Sequence, residues 1–137
     1  VTATIIAIQN HDFGGLWRVL LAVAFVIGIV DLTLKPLIDR TRPYDHNHTE
    51  VRSMVPLPST SSFPSGHTAI AAAGAYAVAR LAPATAAFVW PVALTVAFSR
   101  IYLGLHYPFD VVVGWFIGLA GSVFVTGSVS YGKQMTR

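Results

Sequence analysis

Ser61 to Ala69 read S-S-F-P-S-G-H-T-A, and the reading of this junction decides the fold. Before it lies a polar loop rich in proline; after it comes an alanine-rich apolar run. A serine, a glycine and a histidine therefore stand at the first turn of a helix about to enter apolar surroundings. The N-terminus of such a helix presents unpaired backbone N–H groups and the positive end of the helix dipole, a ready site for an anion. Pro64 fixes the chain's entry, Ser65 is placed to cap and to donate its hydroxyl, and Gly66 permits close backbone approach. His67 then points at the bound anion. Taken alone, the stretch reads equally well as an ordinary serine cap followed by an interfacial histidine.

Outward from the junction, apolar runs dominate the chain. Of its 137 residues, 54% are hydrophobic and only 11% charged, against roughly 25% charged in soluble domains. A membrane protein of one domain is the natural reading. A helix needs about 20 mostly apolar residues to cross a bilayer, and four segments of that order occur: about Gly15 to Ile38, Gly66 to Ala82, Ala84 to Gly104 and Pro108 to Val129. Pro91, inside the third, is expected to kink rather than end a buried helix. The fold expected is all-α, an integral membrane helix bundle with four spanning helices. The polar segment between Asp39 and Phe63 is long for a loop in a compact chain, which points to function or disorder. The chain opens on Val1 with a short uncharged apolar stretch that does not read as a signal peptide. Processing, an alternative start codon and a fragment all fit a valine start.

Two function classes fall away at once. With no cysteine, disulfides, thiolate metal sites and cysteine nucleophiles are excluded. The net charge of +3 is small, and its basic residues are scattered rather than gathered on a polar stripe, so no nucleic-acid partner is expected.

Alternation of four spans brings the end of the first, the start of the second, the end of the third and the start of the fourth to one face. Most of the unusual polar residues lie at those ends: Lys35 and Arg42, Ser65 and His67, Ser99 and Arg100, His106 and Asp110. Lys35 alone reads as a snorkelling anchor paired with Asp31 one turn back, and Arg42 alone as a loop arginine. Arg100 is harder to dismiss, standing in an apolar segment with no carboxylate in the preceding turn. Together the three cations read as a site for a tetrahedral oxyanion, since guanidinium forks match phosphate oxygens and an ammonium adds a point charge. By Lys and Arg count the two membrane faces nearly tie, with Lys35, Arg40, Arg42, Arg52 and Arg100 on the cluster face. If Lys35, Arg42 and Arg100 are set aside as site residues, the opposite face, with Arg18, Arg80, Lys133 and Arg137, becomes the cytoplasmic one.

His106 and Asp110 are four residues apart. If Leu105 to Asp110 is helical, the carboxylate accepts a hydrogen bond from one imidazole nitrogen and leaves the other free as a nucleophile. A surface histidine beside a helix-start aspartate is the plainer alternative. Two histidines flanking a phosphate pocket suggest covalent phosphoryl transfer, with His106 attacking phosphorus and His67 protonating the leaving oxygen. Positive charge on the equatorial oxygens comes from the side chains and the helix N-terminus, so neither metal nor cofactor is expected. His46 and His48 lack further close ligands for a metal site, and His11 carries no signal. Gly114, Gly118, Ser122 and Thr126 form a small-residue stripe on the last helix, fit for close helix packing or for a homo-oligomer contact.

Lys35 to Pro43 is K-x6-R-P, Pro64 to His67 is P-S-G-H, and Ser99 to Asp110 is S-R-x5-H-x3-D. In that order the three motifs resemble the type 2 phosphatidic acid phosphatase superfamily, which includes bacterial lipid phosphate phosphatases and vanadium-dependent haloperoxidases. The resemblance implies Lys35, Arg42, Ser65, Gly66 and Arg100 as phosphate binders, His67 as general acid, His106 as nucleophile and Asp110 as its partner. It also implies a bacterial plasma membrane location with the site on the extracytoplasmic face. Membrane members usually have six spanning helices with the motifs on the last four. Residues 1–137 thus look like a single transmembrane phosphatase domain, the core of the fold without its first pair of helices.

The function expected is hydrolysis of a lipid phosphate or diphosphate, such as undecaprenyl diphosphate, phosphatidylglycerol phosphate or phosphatidate, with the tail left in the bilayer. A vanadate-dependent haloperoxidase is disfavoured by the apolar helices. A non-catalytic lipid-phosphate-binding protein is disfavoured by the complete histidine and carboxylate set, because binding needs only the cations. Met54, Val55, Leu57 and Phe63 are placed to dip into the interface, or simply to pack locally.

Overall fold

The computed structural model describes residues 13–46 and 59–134. His11, His48, Arg52, Met54, Val55, Leu57 and Arg137 lie outside the described residues, and so do the side chains of His46 and Lys133. Every regular element among the described residues is helical. Helix α1 runs Phe13–Ile27, continues through a π-helical stretch, Gly28–Leu34, and closes with one α turn, Lys35–Ile38. Asp39, at φ +38°, ends it in the left-handed region, which short polar side chains tolerate. A single turn, α2 (Pro43–His46), follows, then α3 (Gly66–Leu81), α4 (Ala86–Tyr102) and α5 (Pro108–Gln134).

Helix α3 is the central element and packs on α1, α4 and α5. Its alanines 69, 72, 73, 75 and 77 are buried, and Ala69 and Ala73 form the core with Val26 and Val30 of α1, against which Ile117 of α5 packs. Among the described residues three segments, Gly15–Ile38, Pro83–Tyr102 and Pro108–Gly127, are long and apolar enough to span a bilayer. The expected count of four is thereby corrected, because α3 has only 16 residues and is rich in alanine. Its surface meets other helices rather than lipid, so small side chains that admit close backbone approach replace bulky apolar ones. The bulky residues lie outside: Trp17, Leu20, Phe88, Phe98, Phe116 and Phe124 are all more than half exposed, as suits side chains that meet acyl tails. Pro91 does not end α4, which runs through it to Tyr102.

The small-residue stripe on α5 faces α3 of the same chain. A Cβ on Gly118 would overlap the Ala69 carbonyl, and one on Gly114 would stand 2.5 Å from the Ser65 carbonyl oxygen. Ser122 donates its hydroxyl to the Ala73 carbonyl at 3.0 Å. Of the two uses expected for Gly114, Gly118 and Ser122, the structure shows close helix packing, with α3 on that face.

Candidate active site

Alternation of helix direction gathers the motif residues at one end of the bundle. Lys35, near the end of α1, pairs with Asp31 one turn back at 2.5 Å. Both reach the start of α3: a Cβ on Gly66 would stand 3.2 Å from Lys35 Nζ and 3.3 Å from Asp31 Oδ1. Glycine at position 66 thus leaves room for an ammonium beside the helix N-terminus. The first backbone bond of α3 runs from Ala69 N–H to the Ser65 carbonyl, so the N–H groups of Gly66, His67 and Thr68 have no carbonyl within the helix.

Ser65 differs from expectation. Its side chain makes no capping bond; its hydroxyl pairs with that of Thr68 at 2.9 Å, and its own N–H donates to the Asp110 carbonyl at 3.0 Å. Full burial of Ser65 makes it a brace between α3 and α5. His67 is exposed one residue into α3, within electrostatic reach of Arg100, Lys35, Asp31 and Arg42.

Arg42 is 3% exposed, and its guanidinium is largely engaged with the protein. Nε donates to the Thr60 carbonyl at 2.8 Å, Nη2 to the Ser61 carbonyl and the Thr60 hydroxyl at 3.2 Å, and Nη1 to the Leu105 carbonyl at 3.0 Å. The same Nη1 stands 3.4 Å from His106 Nε2. A cavity of about 260 Å³ between segments 39–44 and 59–61 also borders Arg42. Arg100 lies in the last turn of α4, its Nε donating to Ser99 Oγ at 3.2 Å, while that hydroxyl donates to the Val96 carbonyl at 2.7 Å. Ser99 therefore has a physical role that its sequence position did not reveal: it steers the guanidinium. The Arg100 carbonyl accepts from Leu105 N–H and His106 N–H, folding the connection back so that His106 re-enters the cluster.

His106 is buried, and Nδ1 donates to the Ser62 carbonyl at 2.6 Å. That bond fixes the tautomer and leaves the lone pair on Nε2, the nitrogen facing Arg42. Burial first, and then the Arg42 charge, push the His106 pKa down to about 4; the Ser62 carbonyl and Asp110 act the other way, and Lys35 adds to the lowering. The ring is consequently neutral at pH 7.

Asp110 is wholly buried, but the expected hydrogen bond to His106 is corrected: Nδ1 is 3.9 Å from Oδ2. Helix α5 starts at Pro108, so His106 precedes it and the spacing of four is not helical. The carboxylate instead takes Arg40 Nη1 at 2.6 Å on Oδ1, and the Ser62 hydroxyl at 2.8 Å and Tyr107 N–H at 3.0 Å on Oδ2. Arg40 also stacks over the Tyr107 ring, 4.4 Å from its centroid. Arg40 and Ser62 went unrecognised as site residues in the sequence; nothing in their local context distinguishes them, since their partners are 70 and 48 residues away.

The family model described as the PAP2 superfamily matches residues 15–133. The chain is 38% identical over 123 residues to the decaprenylphosphoryl-5-phosphoribose phosphatase of Mycobacterium tuberculosis, covering 88% of this chain and 65% of that one. Identity to the undecaprenyl-diphosphatase of Sulfolobus acidocaldarius is 32% over 128 residues, covering 85% and 60%. Among solved structures, a transmembrane PAP2-type phosphatidylglycerolphosphate phosphatase from Bacillus subtilis superposes with a TM-score of 0.66 at 29% identity, covering 82% of this chain and 58% of that one. The chain thus spans just under two thirds of the length of these relatives.

Proposed function

The chain belongs to the PAP2 superfamily, and on that premise we propose that it is an integral membrane phosphatase that hydrolyses a lipid phosphate or diphosphate through a phosphohistidine. The observation that carries this reading is His106: a buried imidazole, neutral at pH 7, with Nδ1–H tied to the Ser62 carbonyl and Nε2 turned toward Arg42. In the first step the Nε2 lone pair forms a bond to phosphorus while the bond from phosphorus to the lipid-side oxygen breaks, and that oxygen takes a proton from His67. In the second, water attacks phosphorus, His67 takes its proton, and the N–P bond breaks to return neutral His106 and inorganic phosphate. Lys35, Arg100 and the N–H groups at the start of α3 hold the equatorial oxygens, where charge must be stabilised, and Arg42, its donors largely taken by Thr60, Ser61 and Leu105, adds its charge from behind. The reaction as written needs no metal.

Two relatives carry decaprenyl and undecaprenyl in their names, which ranks polyprenyl-linked phosphates first among substrates, ahead of phosphatidylglycerol phosphate and phosphatidate. The setting proposed is a bacterial plasma membrane with the site on its extracytoplasmic face, supported by the resemblance and by Arg18 and Arg80 at the opposite end of the bundle. The test is inorganic phosphate release from a panel of these lipids in detergent with a chelator present, comparing the wild-type chain with His106→Ala. Release by the first and none by the second is expected. Silence from both, in folded protein, overturns the reading in favour of a binding protein.

A further inference from the structure

Something must hold the His106 ring in place, and the fully buried Asp110 does not do so directly. Its carboxylate is saturated by the Arg40 guanidinium, the Ser62 hydroxyl and Tyr107 N–H, and it stops 3.9 Å short of the imidazole. Ser62 bridges that gap. Its hydroxyl donates to Asp110, its carbonyl accepts from His106 Nδ1, and its N–H donates to the Arg40 carbonyl at 2.9 Å. Arg40 is clamped in turn at its backbone, where its N–H donates to Ser61 Oγ at 3.0 Å. The side chain of Arg40 and the backbone and side chain of Ser62 thus close a loop of contacts through Asp110, and His106 hangs from one member of it.

We propose that Arg40 and Ser62 are positioning residues, which lock Asp110 and through the Ser62 carbonyl aim His106 Nε2 at the phosphate site. The inference rests on the phosphatase reading for what the aimed nitrogen does, but not for how it is held. Two physical arguments support it. A buried carboxylate without a counter-charge is strongly disfavoured, and the Arg40 guanidinium supplies that charge to Asp110. A ligand or nucleophile is oriented by the partner of its other nitrogen, and here that partner is a backbone carbonyl whose own residue is tied at three atoms. The charges facing His106 are Arg42, Asp110 and Lys35. With Arg40 removed, the negative charge of Asp110 acts on the ring unopposed by its ion partner.

The test combines turnover with the nitrogen spectrum of the His106 ring, read by NMR in full-length protein labelled with ¹⁵N-histidine in detergent. Wild-type protein is expected to show the Nδ1–H tautomer. Arg40→Ala is expected to raise the His106 titration midpoint by about one pH unit, and Arg40→Lys to restore most of that change by keeping a cation beside Asp110. Ser62→Ala introduces no unpaired charge, so it carries the test even where Arg40→Ala does not fold. It is expected to lower kcat about tenfold, the size of loss seen when an orienting partner is removed, with KM unchanged because the N–H, carbonyl and hydroxyl of Ser62 are all bonded within the protein. An unaltered titration of the ring in Ser62→Ala and in folded Arg40→Ala overturns the proposal. So does a rise in KM at constant kcat, which would make Arg40 a substrate ligand. Because the ring is read without turnover, a wild-type chain that releases no phosphate defeats the phosphatase reading while the spectrum still decides the positioning roles.

Discussion

The side chain of His106 is tuned by its surroundings to carry a lone pair. An ordinary histidine titrates near 6.5, whereas burial and Arg42 bring this one to about 4. If the ring is the nucleophile, the acid limb of kcat/KM lies nearer 4 than 6.5, which a pH profile in detergent checks directly; a limb at 6.5 would mean that the ring is solvated in solution. The same shift has a sign for stability. Between the folded value and 6.5 the unfolded chain binds the extra proton, so this group's contribution is complete above 6.5 and is lost as pH falls toward 4. Arg100 is steered by Ser99, and its proposed role is that of a donor to the equatorial oxygens. Arg100→Ala is expected to lower turnover about 10²-fold or more, and near-normal phosphate release from that variant would remove it from the site. The family was legible at this scale because the motif residues' types and order match it. Arg40 and Ser62 were not, since an arginine in a loop and one serine among several acquire meaning only when Asp110 arrives from the far end of the chain.

Among the elements, the contact of α3 with α5 sets the site's geometry. Both helices give up side-chain volume at the crossing, alanine on one and glycine on the other, so the backbones touch. Gly118→Ala would drive a methyl into the Ala69 carbonyl, and overpacking of this kind costs about 1–3 kcal/mol. A clear fall in the thermal midpoint in detergent is expected. Gly127→Ala, on the same helix with nothing within 4 Å of its Cβ, should leave the midpoint unchanged. Equal effects of the two would place the packing elsewhere. The small-residue stripe was readable from its spacing of four, but its partner was not, because periodicity identifies a face without saying what lies against it. Apolar content likewise marked the three lipid-facing helices, yet overstated the central one, whose alanines suit a protein interior as well as a membrane. The spacing of His106 and Asp110 misled for a local reason: Pro108 begins the helix between them.

At the scale of the whole molecule, alternation of helix direction was enough to predict that the polar ends converge, and the hydrogen bonds of Arg42, Arg40 and His106 across the chain realise it. The chain contains no cysteine, so a single introduced thiol reports one place. In intact cells Ser59→Cys, at the site end, is expected to react with a membrane-impermeant maleimide, and Arg80→Cys, at the other end of α3, is not. The reverse pattern would turn the site toward the cytoplasm. The shortness of α3 has a last consequence. Sixteen residues extend about 24 Å, against a hydrocarbon slab of about 30 Å, while α1 continues a turn beyond Lys35 and α4 runs on to Tyr102. Helix α3 is therefore shorter than the slab, unlike the apolar segments that flank it. On the proposed reading, a lipid head group meets the start of α3 while its tail stays beside the exposed apolar side chains of the neighbouring helices.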